Sequence, residues 1–246
     1  MDHEDDKVAI RIWDLPVRIF HWVLVAIFVF QAVTGWIGGY IMELHLASGY
    51  ALLVGVVFRV IWGFVGGTHA RFASFIAGPM ATLRFARRLF SKQAVPQLGH
   101  NPLGGWSVIL MLASLAVQGI TGLMAYDGVV TEGPLAKVVG IEASSIASEV
   151  HRWNFWVLVV LSCLHILAVL FHWLVKKDNL MAPMFTGVKQ VPRSFLRERR
   201  EARRGSAPRR SASREFANYH EAGLRRAVIA LGAALALVAL VVSLPG

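Results

Sequence analysis

Five stretches of this chain carry apolar residues almost without interruption: residues 17–41, 45–65, 104–126, 152–175 and 227–244. Each is about long enough for a helix to cross the hydrocarbon of a bilayer, which takes roughly 20 residues. Backbone polar groups find no water there, so each stretch is predicted to be helical. The expected fold class is an all-α integral membrane protein: a four-helix transmembrane bundle plus one extra C-terminal transmembrane helix. The corresponding divisions are an N-terminal segment at 1–16, a four-helix core at 17–190, a basic linker at 191–224 and a fifth membrane helix at 225–246.

Composition agrees with this pattern. Of the 246 residues, 56% are hydrophobic and 16% charged, and the mean hydropathy is +0.55. The net charge of +10 is concentrated in one place, with nine arginines between Arg193 and Arg214. That makes the basic character a property of the linker, and nucleic acid is not an expected partner. The linker reads as solvated and partly helical through LRERREARR at 196–204, lying against anionic lipid. The lone cysteine, Cys163, forms no internal disulfide and reads as a packing residue. The chain has no C-x-x-C-H for covalent haem attachment.

Basic residues orient the spans. Lys7, Arg11 and Arg18 precede the first; Arg71, Arg84, Arg87, Arg88 and Lys92 lie between the second and third; Lys176, Lys177 and the arginine-rich stretch follow the fourth. If the spans alternate, these segments share one side. The expectation is a bacterial inner-membrane protein with its N-terminus cytoplasmic and its C-terminus periplasmic. The N-terminal MDHEDDK is acidic and unlike a cleavable leader, so the first stretch is expected to remain as a span.

The candidate chemistry lies in the histidines. An ionisable group within a span is costly and points to function. His21 lies a few residues into the first stretch from the inner side. His45 opens the second from the outer side, and His151 opens the fourth. His165 follows His151 by fourteen residues, which is about 21 Å along a helix and within about 40° of the same face. The four therefore sort by depth into an outer level, His45 with His151, and an inner level, His21 with His165. Two bis-imidazole haems in a helical bundle need this arrangement. His172, seven residues beyond His165 and within about 20° of its face, competes with it for the inner level, and spacing does not decide between them. Structural zinc is a poorer reading, because its ligands cluster at one point and often include thiolates.

Arg59 lies fourteen residues after His45 and should share its face at the inner level. A haem propionate is its expected partner, by bidentate pairing. Arg18 and Arg152 flank His21 and His151 and are candidates for the same role. Gly35, Gly38, Gly39, Gly49, Gly55, Gly63, Gly66 and Gly67 thin the first two helices, as close helix packing or a flat macrocycle requires. The fifth stretch has no ionisable group and reads as an anchor or as a packing helix against a partner.

With these residues in view, the chain resembles the bacterial cytochrome b561 family, in particular the stand-alone cytochromes grouped with the b subunits of nickel-iron hydrogenases. The matching stretches are WDLPVRIFHW around His21, HLASGYALLVGVVFRVIWGFVG from His45 through Arg59, GHNPLGGW around His100, and the run from His151 through His165 and His172 to KKDNL. The resemblance covers about residues 12–189. It implies a four-helix core with two non-covalent b haems, the inner held by His21 and His165 and the outer by His45 and His151. By resemblance, and not by spacing, His165 is favoured over His172. His100 is expected to stabilise its loop or lie near a quinone or propionate, and His69 similarly. The linker and fifth stretch lie beyond the family pattern.

The expected function is electron transfer across the membrane between quinone and an extracytoplasmic redox partner, such as a c-type cytochrome or a hydrogenase-like subunit. Acidic residues in the outer loop, 127–149, suit a basic partner. An electron-transfer subunit is favoured over an enzyme in its own right. The alternative is a stand-alone quinone-linked oxidoreductase of a small oxidant such as superoxide. A haem-free proton relay is a third reading, disfavoured by the scarcity of carboxylates in the spans.

Overall fold

A computed structural model describes residues 7–89, 98–128, 131–194 and 212–244, with the side chains of 212–222 left undescribed. The stretch LRERREARR lies outside the described residues. Eight helices and two short strands occur among the described residues. Five of the helices are long and apolar enough to cross a membrane. They are α1 (Leu15–Ile37), α2 (Met42–Val65), α4 (Pro102–Met124), α6 (Ile141–Leu174) and α8 (Ala212–Val242). Short helices α3 (Pro79–Arg88), α5 (Ala136–Val139) and α7 (Met181–Thr186) lie in the connections. The protein is a five-span helical membrane protein, as the apolar pattern predicts.

Helix boundaries follow local chemistry. The side chain of Asp14 caps α1 by accepting from Val17 N at 3.0 Å, with Pro16 in the first turn. The same carboxylate accepts from Trp62 Nε1 and Gly67 N, each at 3.1 Å, and so ties the start of α1 to the end of α2. The first span ends earlier than expected, at Ile37 rather than residue 41. Gly38 and Gly39 take φ of +65° and +58°, which no helix continues. A single 3-10 turn, Gly39–Ile41, then leads into α2. Asn101 caps α4 by accepting from Gly104 N at 2.8 Å. Helix α6 begins eleven residues before the apolar stretch does, because IEASSIASEV contains no Gly or Pro to break a helix and is merely too polar for lipid. Its 34 residues span about 51 Å, so it protrudes beyond the hydrocarbon.

The long helices pack as two pairs, α1 on α2 and α4 on α6, joined by contact between α2 and α4. Helix α8 lies against α2. Its small residues Ala227, Ala230 and Ala234 are buried beside Phe58 and Trp62, and Val238 is buried near Leu53. Such residues let helices approach closely in lipid. The fifth span is thus a packing helix within its own chain, and it begins inside the segment read as linker. The apolar pattern gave no hint of strands, yet β1 (Lys7–Arg11) pairs antiparallel with β2 (Val188–Pro192). This ladder ties the chain before α1 to the chain after α6. Nearby, the buried Lys189 pairs with Asp178 at 2.8 Å.

Midway along the bundle, Leu52, Val56, Leu115 and Leu158 form a buried cluster backed by Leu24, Ile27 and Phe28. Leu158 is seven residues from both His151 and His165. An apolar layer therefore separates the two histidine levels.

Candidate functional site

His45 lies in the first turn of α2, and His151 lies on α6 across the bundle. Their ring centroids are 6.3 Å apart with planes at 77°. His151 Nδ1 is 2.9 Å from the carbonyl of Gln118. A carbonyl only accepts, so Nδ1 carries the proton and Nε2 keeps its lone pair. His45 Nδ1 is 3.1 Å from Thr34 Oγ1. The single hydroxyl proton of Thr34 is directed to Phe30 O at 2.8 Å. His45 Nδ1 therefore donates to Thr34, and its Nε2 also keeps a lone pair. Two such nitrogens cannot hydrogen-bond to each other, whereas a metal between them satisfies both.

Imidazole–metal bonds of about 2 Å on either side would put the ring centres roughly 6 Å apart. Carbonyl or hydroxyl support on the far nitrogen is the usual device for fixing a ligating histidine. Glycines make room for each ring. A Cβ at Gly35 would lie 3.0 Å from His45 Cε1, and one at Gly122 would lie 3.0 Å from His151 Cε1. Among the described residues no three His, Cys, Asp or Glu side chains converge as a bare-metal site. A two-histidine arrangement suits an iron whose remaining ligands come from a macrocycle.

At the other level, His21 on α1 and His165 on α6 lie within electrostatic range of each other. His21 Nδ1 is buried with no hydrogen-bond partner. His172 differs from both. Its Nδ1 donates to Ala168 O at 2.9 Å, and its Nε2 accepts from Asn101 Nδ2 at 3.3 Å. Both its nitrogens are engaged, so it ties α6 to the start of α4.

Residues 12–187 match the family described as prokaryotic cytochrome b561. The chain belongs to that family. It is a haem-binding membrane cytochrome of electron transport, and its haem is of the b type. Among similar proteins is one described as a "Probable Ni/Fe-hydrogenase B-type cytochrome subunit" from Azotobacter chroococcum mcd 1. It is 28% identical over 214 residues, covering 74% of this chain and 88% of the relative. The protein of the same description from Rhizobium leguminosarum bv. viciae is 26% identical, covering 74% and 89%. A "Probable Ni/Fe-hydrogenase 1 B-type cytochrome subunit" from Escherichia coli K12 is 22% identical, covering 75% and 92%. No solved structure matches significantly. Helix α8 lies wholly outside the matched residues.

Around the inner level of this cytochrome, two arginines keep buried N–H groups without partners. Arg59 is 4% exposed. Its Nη2 donates to Ala70 O at 3.1 Å and its guanidinium lies 5.1 Å from the Phe72 ring centroid, while Nη1 is buried and unpaired. It does not snorkel to the surface. Arg18 Nη1 donates to Phe185 O, and its Nε is buried and unpaired. Unsatisfied buried donors are rare and call for a partner; carboxylates of a bound haem are one that fits. Arg152 is not brought into the site. It lies one residue past His151, about 100° round the helix, and is exposed beside Glu149 at 3.2 Å.

His100, in the loop before α4, is held between Trp13 and Phe75 at ring-centroid distances of 4.7 and 4.8 Å. Its Nδ1 is buried without a partner. Burial first, and then the nearby Arg59, push its imidazole down to about 3. It is therefore neutral at physiological pH, near both inner histidines. Helix α7 closes this end. Trp22 donates to Met184 O at 3.3 Å and stacks on Phe185 at 4.4 Å. Sequence reasoning missed these packing residues because aromatic residues near a membrane boundary usually mean only an interfacial belt.

Proposed function

We propose that this cytochrome carries two b haems, one between His45 and His151 and one between His21 and His165. It passes electrons across a bacterial cytoplasmic membrane between quinone and a redox partner on the outer side. The observation that carries the proposal is the facing pair His45 and His151, each with Nδ1 protonated by its hydrogen bond and Nε2 left for a metal. Bound haem supplies one-electron chemistry at iron. The chain's own residues do the rest. Thr34 and the Gln118 carbonyl fix the outer rings, and Arg18 and Arg59 offer donors to carboxylates at the inner level. The leucine layer around Leu158 keeps water out of the space between the levels.

The fourteen-residue interval from His151 to His165, about 21 Å of helix rise, sets the two sites near opposite faces of the hydrocarbon. The relatives' descriptions as hydrogenase cytochrome subunits support a redox subunit as the outer partner. Glu132, Glu142 and Glu149 near that end support attraction of a basic docking surface. The basic residues before α1, between α2 and α4, and after α6 support a cytoplasmic N-terminus and a periplasmic C-terminus.

Proteoliposomes test the transfer. With quinol inside and a membrane-impermeant electron acceptor outside, wild-type protein should reduce the acceptor. His45→Ala and His21→Ala should each abolish that reduction. Acceptor reduction that persists in either variant would exclude a path through both levels.

A further inference from the structure

Where α2 ends against α8, the two helices leave a groove of about 500 Å³ open to the lipid side. Its walls are apolar, with Phe64, Val65, Ile229 and Ala233 among them, and Phe64 and Ile229 are strongly exposed. Arg71 and Arg226 also line it, and both are exposed. Among the described residues neither guanidinium has an acidic partner. Both stand where apolar helix gives way to polar chain: Arg71 is six residues past the end of α2, and Arg226 immediately precedes the apolar run of α8. The groove therefore combines hydrocarbon walls with two cations, at the level where the apolar runs of both helices stop.

We infer that this groove binds one anionic diacyl phospholipid, its phosphate between Arg71 and Arg226 and an acyl chain along the α2–α8 seam. Charge complementarity selects the occupant. An uncharged quinone would bury the same apolar surface without using the arginines, and a zwitterionic lipid would bring its own cation beside them, whereas the phosphodiester of an anionic lipid takes hydrogen bonds from both with no competing cation. Basic pockets between membrane helices recognise such headgroups in general. The site joins the family-matched core to the helix beyond it, so bound lipid would hold α8 on α2. The inference does not depend on the haem assignment.

Thermal unfolding of the delipidated full-length protein in neutral detergent tests it, with phosphatidylglycerol or phosphatidylcholine of the same acyl chains added. Phosphatidylglycerol should raise the midpoint saturably by several degrees beyond phosphatidylcholine. The double variant Arg71→Gln/Arg226→Gln should lose that excess. Arg84→Gln/Arg87→Gln, which removes equal charge from exposed positions of α3, should keep it. Equal responses to the two lipids, an excess that survives in the first variant, or equal loss in both variants would overturn the site. So would an equal shift with inorganic phosphate, which would indicate a free-anion site. Native mass spectrometry of the wild-type protein gives an answer without variants. One retained phosphatidylglycerol, in preference to phosphatidylcholine, is expected; no preference would contradict the inference.

Discussion

The imidazoles of His45 and His151 face each other from different helices at a centroid distance of 6.3 Å, each with its far nitrogen hydrogen-bonded to a neighbouring helix. Thr34 on α1 serves His45, and Gln118 on α4 serves His151. Within each helix pair, one member thus orients a histidine on its partner. If these contacts fix the ligand tautomers, Thr34→Val should weaken haem retention at the outer level. Loss of one supporting partner typically costs 10–100-fold in metal affinity. Haem titration of the apo-protein would measure it, and unchanged affinity would assign Thr34 to packing alone.

The glycines beside these rings give a second test. Gly35→Val and Gly122→Val each place methyl groups where a Cβ alone would already stand 3.0 Å from an imidazole carbon. Either variant should lose about half of the bound haem, with the inner level retained. Low-temperature difference spectra would show which band disappears.

Arg59 and Arg152 should behave differently. Arg59 is buried with an unpaired donor, whereas Arg152 is exposed in a surface ion pair. A nearby cation disfavours the ferric state, so Arg59→Gln should lower the inner midpoint potential by on the order of tens of millivolts, 59 mV being tenfold for one electron. Arg152→Gln should leave both potentials within error. Potentiometric titration distinguishes the two. Equal, small effects would place Arg59 outside the haem environment.

Leu158 bears on stability rather than chemistry. It is 2% exposed in the layer between the levels. Leu158→Ala should destabilise the bundle by about 2–5 kcal/mol, the usual range for a buried leucine, with haem content unchanged at low temperature. Thermal unfolding with haem quantitation checks both parts. An unaltered midpoint would mean that the layer is not packed as described.

Much of this was legible in the sequence, for physical reasons. Lipid allows helices only, so five apolar runs announced five spans. A fourteen-residue interval on a helix fixes both depth and face, so His151 and His165 could be placed at two levels from their numbers alone. Arg59 was legible in the same way from His45. Other features depended on contacts that periodicity does not encode. The engagement of His172 with Asn101 needs the loop before α4 in place. Arg152 sits next to a candidate ligand in sequence but about 100° away round the helix. The β1–β2 ladder joins five-residue segments from far apart in the chain, each too short to signal a strand. The start of α6 was hidden because hydropathy reports the part of a helix that lies in lipid, not the helix itself. Nothing in the composition of the fifth span said whether α2 or another protein would cover its alanines.

The most direct measurement of the central claim is the haem-to-protein ratio of the purified chain, with reduced-minus-oxidised spectra, in wild type and in His21→Ala, His45→Ala, His151→Ala, His165→Ala and His172→Ala. The account predicts two non-covalent b haems in wild type, loss of the same haem on changing His45 or His151, loss of the other on changing His21 or His165, and retention of both in His172→Ala. A single haem in wild type, or loss of haem on changing His172 with retention on changing His165, would contradict it.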